Sequence, residues 1–199
     1  MGVEGLAGFF KTVATEDVDL SVGGGRGFLV DGHFMMHQAA SGRVAAALVL
    51  EDDEVPLFEA VSARLERVVE AGWDVVVVFD GATPPGKLGT SQHRSDKREK
   101  ALRDTQDAHA RRLPRAQVER LARGAVRFSS EVTAKVATRL LQSIRVQCII
   151  APYEADPQIR VLEEMLTRGG RECYVWATDS DLCVLGVNRL MYELNSRGN

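Results

Sequence analysis

The chain has 199 residues, 45% hydrophobic and 27% charged, with a formal net charge of -3. That length holds one globular domain or two small ones, and the balance supports a packed core while excluding a disordered, collagenous or coiled-coil chain. The longest apolar run, Val44 to Leu50, is far short of the roughly 20 residues that span a bilayer. Secretion and lipid anchoring are also disfavoured: the first twenty residues carry Glu4, Glu16, Asp17 and Asp19 without a basic-then-apolar layout, and Leu6 stands where a myristoylation signal needs Ser or Thr. Cys148, Cys173 and Cys183 lie in or beside apolar segments without CxxC spacing, and read as reduced core residues of an intracellular protein.

In chain order, Gly23-Gly24-Gly25 makes a turn into a first strand, Phe28 to Asp31; no Lys-Ser or Lys-Thr follows, so the turn has no phosphate role. Pro56 to Ala71 carries apolar residues at Leu57, Ala60, Val61, Leu65, Val68 and Val69, the period of a helix, with Gly72 as its stop. A second strand spans Val75 to Asp80, a third Cys148 to Ala151 and a fourth Tyr174 to Ala177, the last preceded by a helix that stops at Gly169-Gly170. Strands alternating with helices predict an α/β fold, a mainly parallel sheet flanked by helices, with its site outside the carboxyl ends of the strands.

Between the second and third strands the charge is lopsided. Lys87 to Arg127 holds twelve Lys and Arg against five Asp and Glu, leaving the rest of the chain with thirteen against twenty-three. This segment is polar and poor in large apolar residues, and it predicts one or two exposed helices broken at Pro114. A charge run of this kind is either a solvated face or a polyanion-binding element, because clustered cations gain affinity by releasing counterions from a phosphate backbone.

Each predicted strand ends in carboxylates: Asp31, Asp80, the pair Glu154 and Asp156, and the pair Asp179 and Asp181. One such residue commonly caps a helix, but six on one sheet edge repel unless cations neutralise them. Hard oxygen donors with no His or Cys cluster beside them suit Mg²⁺ or Mn²⁺. Two such ions roughly 3.5–4 Å apart support phosphodiester hydrolysis. Gly81-Ala-Thr-Pro-Pro-Gly-Lys87 imitates a P-loop, but Leu88 replaces its Ser or Thr, and Pro84 and Pro85 lack N–H groups that a phosphate cradle uses. A haloacid-dehalogenase phosphatase would need Asp where Ala82 stands.

The opening Met-Gly-Val-Glu-Gly-Leu, the strand Leu-Val-Asp31-Gly-His-Phe-Met-Met-His37, and the blocks Val-Phe-Asp80-Gly-Ala-Thr-Pro-Pro-Gly-Lys87, Ala-Pro-Tyr-Glu154-Ala-Asp156 and Ala-Thr-Asp179-Ser-Asp181-Leu together resemble the XPG/flap-endonuclease family of structure-specific 5′ nucleases. His37 and the Asp80 block are most similar to its exonuclease-one branch. The resemblance implies a single PIN-like domain over 1–199, with an XPG N-terminal region to about 105, a basic arch over about 87–127 and an XPG internal region from about 140. It implies that Asp31, Asp80, Glu154, Asp156, Asp179 and Asp181 bind two Mg²⁺ or Mn²⁺ ions and are catalytic, with Lys87 and Arg94 contacting the scissile phosphate. It also implies DNA contacts from Gly2, His37, Lys97, Arg98, Arg111, Arg112 and Arg115.

The expected substrate is DNA with a 5′ end, flap, nick or gap. The expected setting is the nucleus, as a monomer alongside repair or replication proteins and apart from membranes. Pro157 stands where the family has a small helix former, and Arg160 where it has a small residue in a packed helix. The family continues past the position of Asn199 with a helix-hairpin-helix element and a further metal-site Asp, so the sequence reads as a fragment of a longer nuclease or a truncated homologue. The competing reading is a DNA-binding module of the same fold that has lost catalysis.

Overall fold

Runs of Val, Ile and Phe make strands here because the sheet they form is covered on both faces. In the computed structural model, which describes residues 18–84, 86, 88–144 and 146–191, the strands are β1 (Gly27–Asp31), β2 (Asp74–Phe79), β3 (Gln147–Ile150), β4 (Cys173–Trp176) and β5 (Leu190–Met191). Their order is β3-β2-β1-β4-β5 and every pair is parallel. Sequence patterning anticipates the first four; β5 is two residues long and shows no alternation. Val30 pairs with both Val77 and Trp176, which brings the carboxyl ends of the three central strands level. The chain builds outward from β1 to β3 and then crosses back to place β4 on the other side of β1, creating a switch point beside Asp31.

Alternate residues face opposite layers. Phe28, Val30, Val75, Val77 and Phe79 pack under α1 (Gly32–Ala39), α3 (Val55–Glu70) and α6 (Ser130–Ser143) through Met35, Met36, Leu57, Val61, Leu65, Val136 and Leu140. Each fully buried aliphatic side chain in that layer contributes about 1.5–3 kcal/mol. On the opposite face Leu29, Val78 and Val175 meet Ala155 and Ile159 of α7 (Ala155–Arg168) and Leu182 of α8 (Asp181–Val184). Pro157 is the third residue of α7, where an amide has no intrahelical partner, so the proline removes no helix bond.

The basic segment forms α4 (Leu88–Ala110) and α5 (Arg115–Ala125), with Pro114 as the N-cap of the second and Arg112 turning the chain at φ +54°. The pair is not wholly exposed. Thr105, Ala108, Val118, Ala122 and Ala125 are buried, and these small side chains let the helices pack closely without a large apolar seam. The hairpin also leans on α2 (Arg43–Ala46), which runs into a π-helical turn at Ala47–Glu51. No helix among the described residues is long and apolar enough to cross a membrane.

Candidate functional site

Four carboxylates follow directly from the strand ends, and the backbone fixes three of them. Asp31 ends β1 and caps α1, its Oδ1 accepting the amide of Phe34 at 2.9 Å. The next residue is glycine where the chain passes the Phe79 ring, since a Cβ there would stand 2.4 Å from it. Asp80 follows β2, and its Oδ1 accepts the amide of Ala155, the first residue of α7, at 2.7 Å. Asp179 follows β4 and its Oδ1 accepts the amide of Asp181 at 3.0 Å. Glu154 is the backbone N-cap of α7 and Asp156 lies in that helix's first turn.

The six groups are in electrostatic reach of one another. Burial, followed by the charges of Asp80 and Asp156, pushes the Asp31 carboxyl up to about 7, against the amides that hold it down. Burial, then Asp179, Asp80, Glu154 and Asp181, push Asp156 up to about 6. Carboxylates that resist ionisation because they are buried, and then because of one another's charge, form a place where a cation is favoured. The donor set is hard oxygen throughout and fits Mg²⁺ or Mn²⁺. Among the described residues no group of three or more His, Cys, Asp or Glu side chains is arranged to hold an ion.

A cleft of about 580 Å³ opens over this edge. It is lined by the carboxylates Asp31, Asp80 and Asp179, by Arg94 and Arg98 of α4, and by His33, Phe34 and His37. Burial, with Arg127 and Arg94 crowding close, holds the Arg98 guanidinium below its ordinary range. His37 packs edge-on against Phe128 with centroids 4.8 Å apart. Desolvation there, with the positive charges of Arg98 and Arg123 close by, pushes its imidazole down to about 4, so it is a neutral aromatic surface near pH 7.

His33 is a member that the sequence reading missed. Its Nδ1 accepts the backbone amide of Asp80 at 3.1 Å and its Nε2 lies 3.5 Å from Thr133 Oγ1. That pattern assigns the proton to Nε2. Burial holds the imidazole below its ordinary value against the pull of Asp80, so the 3.5 Å approach of Nδ1 to Asp80 Oδ2 is not an ion pair. The only signal in the sequence was its place two residues after Asp31. Arg123 and Arg127 were likewise counted in the basic segment without being singled out.

The remaining expected residues lie elsewhere. Lys97 is exposed on α4 and does not line the cleft. Arg111 and Arg115 pair with Asp107 at 3.2 Å and Glu119 at 2.6 Å, while Arg112 and Arg115 border a separate cavity of about 690 Å³ between the hairpin tip and the π-helical turn. Gly2 and Lys87 lie outside the described residues. The P-loop mimic is occupied by its own fold: the amide of Gly81 donates to Tyr153 O at 2.6 Å and that of Ala82 to Pro152 O at 3.1 Å, so neither faces a phosphate.

Comparison with known proteins agrees with this architecture. Residues 1–101 match the XPG N-terminal domain. Exonuclease 1 of Drosophila melanogaster is 28% identical over 202 aligned residues, covering all of this chain and 26% of that protein. Flap endonuclease 1 of Coprinopsis cinerea is 29% identical, covering 98% of this chain and 43% of that protein. The chain thus spans about a quarter of the first and under half of the second. The catalytic core of Rad2 in complex with DNA substrate superposes with a TM-score of 0.59 at 17% identity, over 95% of this chain and 48% of the other, which identifies the PIN-like fold. By its matching N-terminal region and its fold, the chain belongs to the XPG/flap-endonuclease family, on the branch that resembles Exonuclease 1.

Proposed function

We propose that this chain is the nuclease region of a divalent-metal-dependent 5′ nuclease that hydrolyses DNA phosphodiester bonds at 5′ ends, flaps, nicks or gaps. The observation that carries the reading is one cleft lined both by Asp31, Asp80 and Asp179 and by Arg94 and Arg98. A polyanion is attracted to the arginines and repelled by the carboxylates. That conflict is resolved only when cations sit between them, which is the electrostatic layout of phosphoryl chemistry.

In this reading Asp31, Asp80, Glu154, Asp156, Asp179 and Asp181 hold the metal. Mg²⁺ or Mn²⁺ supplies an activated water and charge neutralisation at the leaving oxygen. Arg94, with Lys87, steadies the negative charge that develops on the phosphoryl oxygens. Neutral His37, braced by Phe128, offers a ring on which a base can stack. Arg98 and Lys97 hold the strand that approaches under α4. The Exonuclease 1 and flap endonuclease relatives and the Rad2–DNA complex support DNA as the substrate; a nuclear setting beside repair or replication proteins belongs to the same proposal.

The test is single-turnover cleavage of 5′-labelled recessed and 5′-flap duplexes with Mg²⁺, Mn²⁺ or a chelator. Metal-dependent release of 5′ fragments is expected. Metal-independent DNA binding with no cleavage of either substrate would replace this proposal with the binding-module reading.

A further inference from the structure

We propose that Arg160 and Glu163 form a clamp that holds the segment bearing Asp179 and Asp181 in register with Glu154 and Asp156, making both of them positioning residues of the carboxylate site. The inference rests on the metal-site reading above. Arg160 is the arginine that stands in place of a small residue in α7, and the fold gives it an acceptor outside its own helix. Its Nε donates to the carbonyl of Leu185 at 3.1 Å, and one of its terminal amines to Glu163 Oε2 at 3.1 Å. Glu163 is 1% exposed, and its other oxygen accepts the amide of Asn188 at 2.9 Å and that residue's side-chain nitrogen at 3.1 Å. Two residues of α7 therefore grip both ends of the 185–188 turn.

That turn ends α8, whose first residue is Asp181 and whose C-cap is Leu185. The amide of Leu185 donates to the Asp181 carbonyl at 2.9 Å, so a pull on one is transmitted to the other within one helical turn. A four-residue helix has no stability of its own; buried Leu182 and this clamp anchor it to α7. Glu154 and Asp156 sit at the start of that same α7, one turn before Arg160. The clamp thus joins the halves of the carboxylate set that strands β3 and β4 deliver separately. A buried ion pair is a poor source of net stability but fixes geometry well.

The test compares Mn²⁺ affinity, read from the electron paramagnetic resonance of free Mn²⁺, with thermal melting, in the unaltered chain and in two variants. R160M/E163Q removes the clamp yet keeps an acceptor for Asn188 and leaves no buried unpaired charge. R160K keeps the charge but not the fork that reaches the Leu185 carbonyl and Glu163 together. The expected result is Mn²⁺ binding roughly tenfold weaker in R160M/E163Q, with melting close to that of the unaltered chain and R160K intermediate. Unchanged Mn²⁺ affinity in the variants, whatever their melting, overturns the clamp and leaves the nuclease reading standing. Absence of Mn²⁺ binding by the unaltered chain overturns both. If R160M/E163Q does not fold, R160K decides: weaker Mn²⁺ binding at native melting supports the clamp, and unchanged binding removes it.

Discussion

The amide of Ala155 donates to Oδ1 of Asp80 at 2.7 Å, so the carboxylate that ends β2 also holds the first residue of α7. One strand end and the helix bearing Asp156 are therefore tied together by one side chain. This dual role separates two substitutions that chemistry alone would treat alike.

Asp80→Asn keeps an oxygen for Ala155 and removes a metal ligand. Cleavage should fall to background while melting changes little, and DNA binding should hold or tighten because a charge that repels phosphate is gone. Asp80→Ala should lose cleavage and also about 1 kcal/mol of stability, since the Ala155 amide loses its partner. Asp181→Asn should likewise abolish cleavage. Parallel cleavage, melting and binding assays check the set; a full-rate Asp80→Asn enzyme in Mg²⁺ would remove Asp80 from the site.

The arginines divide by position. Arg94→Ala should lower the single-turnover rate far more than affinity, because Arg94 lines the same cleft as the Asp31, Asp80 and Asp179 carboxylates. Lys87→Ala is expected to act similarly. Changes at the hairpin tip should weaken binding and flatten its salt dependence, by about 0.7–0.9 in log–log slope for each phosphate no longer neutralised. Within that group Arg112→Ala should exceed Arg111→Ala and Arg115→Ala, whose cations are already partnered by Asp107 and Glu119. Equal small effects everywhere would mean that the arginines are a solvated face.

On the proposed metal-site reading, protons and metal would compete for the same oxygens. Asp31 and Asp156 rise from 3.8 to about 7 and about 6, so both bind protons more tightly in the folded chain than in the unfolded one. Their contribution to metal-free stability is fully present below the unfolded value and is lost as pH rises through about 6 for Asp156 and about 7 for Asp31. Asp31→Asn keeps the cap on Phe34 and removes the larger share. The variant should gain melting temperature relative to the unaltered chain as pH climbs from about 5 to about 8, a span that brackets those two titrations. Added Mn²⁺ should stabilise the unaltered chain most at the upper end. A variant-to-parent difference that stays flat across this range would show that Asp31 ionises freely.

Much of this was legible because it is local. A carboxylate at a strand end reads from three or four apolar residues before it, so Asp31, Asp80 and Asp179 were found without tertiary information. Pro114 between two polar runs announced a break between helices, and the parallel sheet followed from alternating strands and helices, whereas the switch point needs the strand order that only the structure gives. What stayed hidden depends on contacts across the chain. Arg123 and Arg127 reach His37 and Arg98 only after α5 folds back on α4. Arg160 looked like a charge misplaced in a packed helix, because its acceptor, the Leu185 carbonyl, lies 25 residues away in sequence. Pro157 departs from the family's small helix former, yet harm from proline depends on the position in the helix, and the third residue has no intrahelical amide bond to lose.

His33 gives the remaining prediction. Its neutral imidazole accepts the Asp80 amide through Nδ1, and its ring meets Phe79 edge-on with centroids 6.0 Å apart. The ring thereby sets the backbone from which the Asp80 carboxylate springs, without itself needing to touch metal or DNA. His33→Ala leaves that amide without its acceptor and should cost about 1 kcal/mol and, by letting Asp80 drift, roughly tenfold in metal affinity. His33→Asn places a carbonyl oxygen near the former Nδ1 and should recover most of the metal affinity while failing to restore the packing on Phe79. Mn²⁺ titration and melting of both variants separate the two contributions. If the asparagine variant binds Mn²⁺ as poorly as the alanine variant, the hydrogen bond to Asp80 is not what orients that carboxylate, and the aromatic packing of His33 on Phe79 must carry its effect instead.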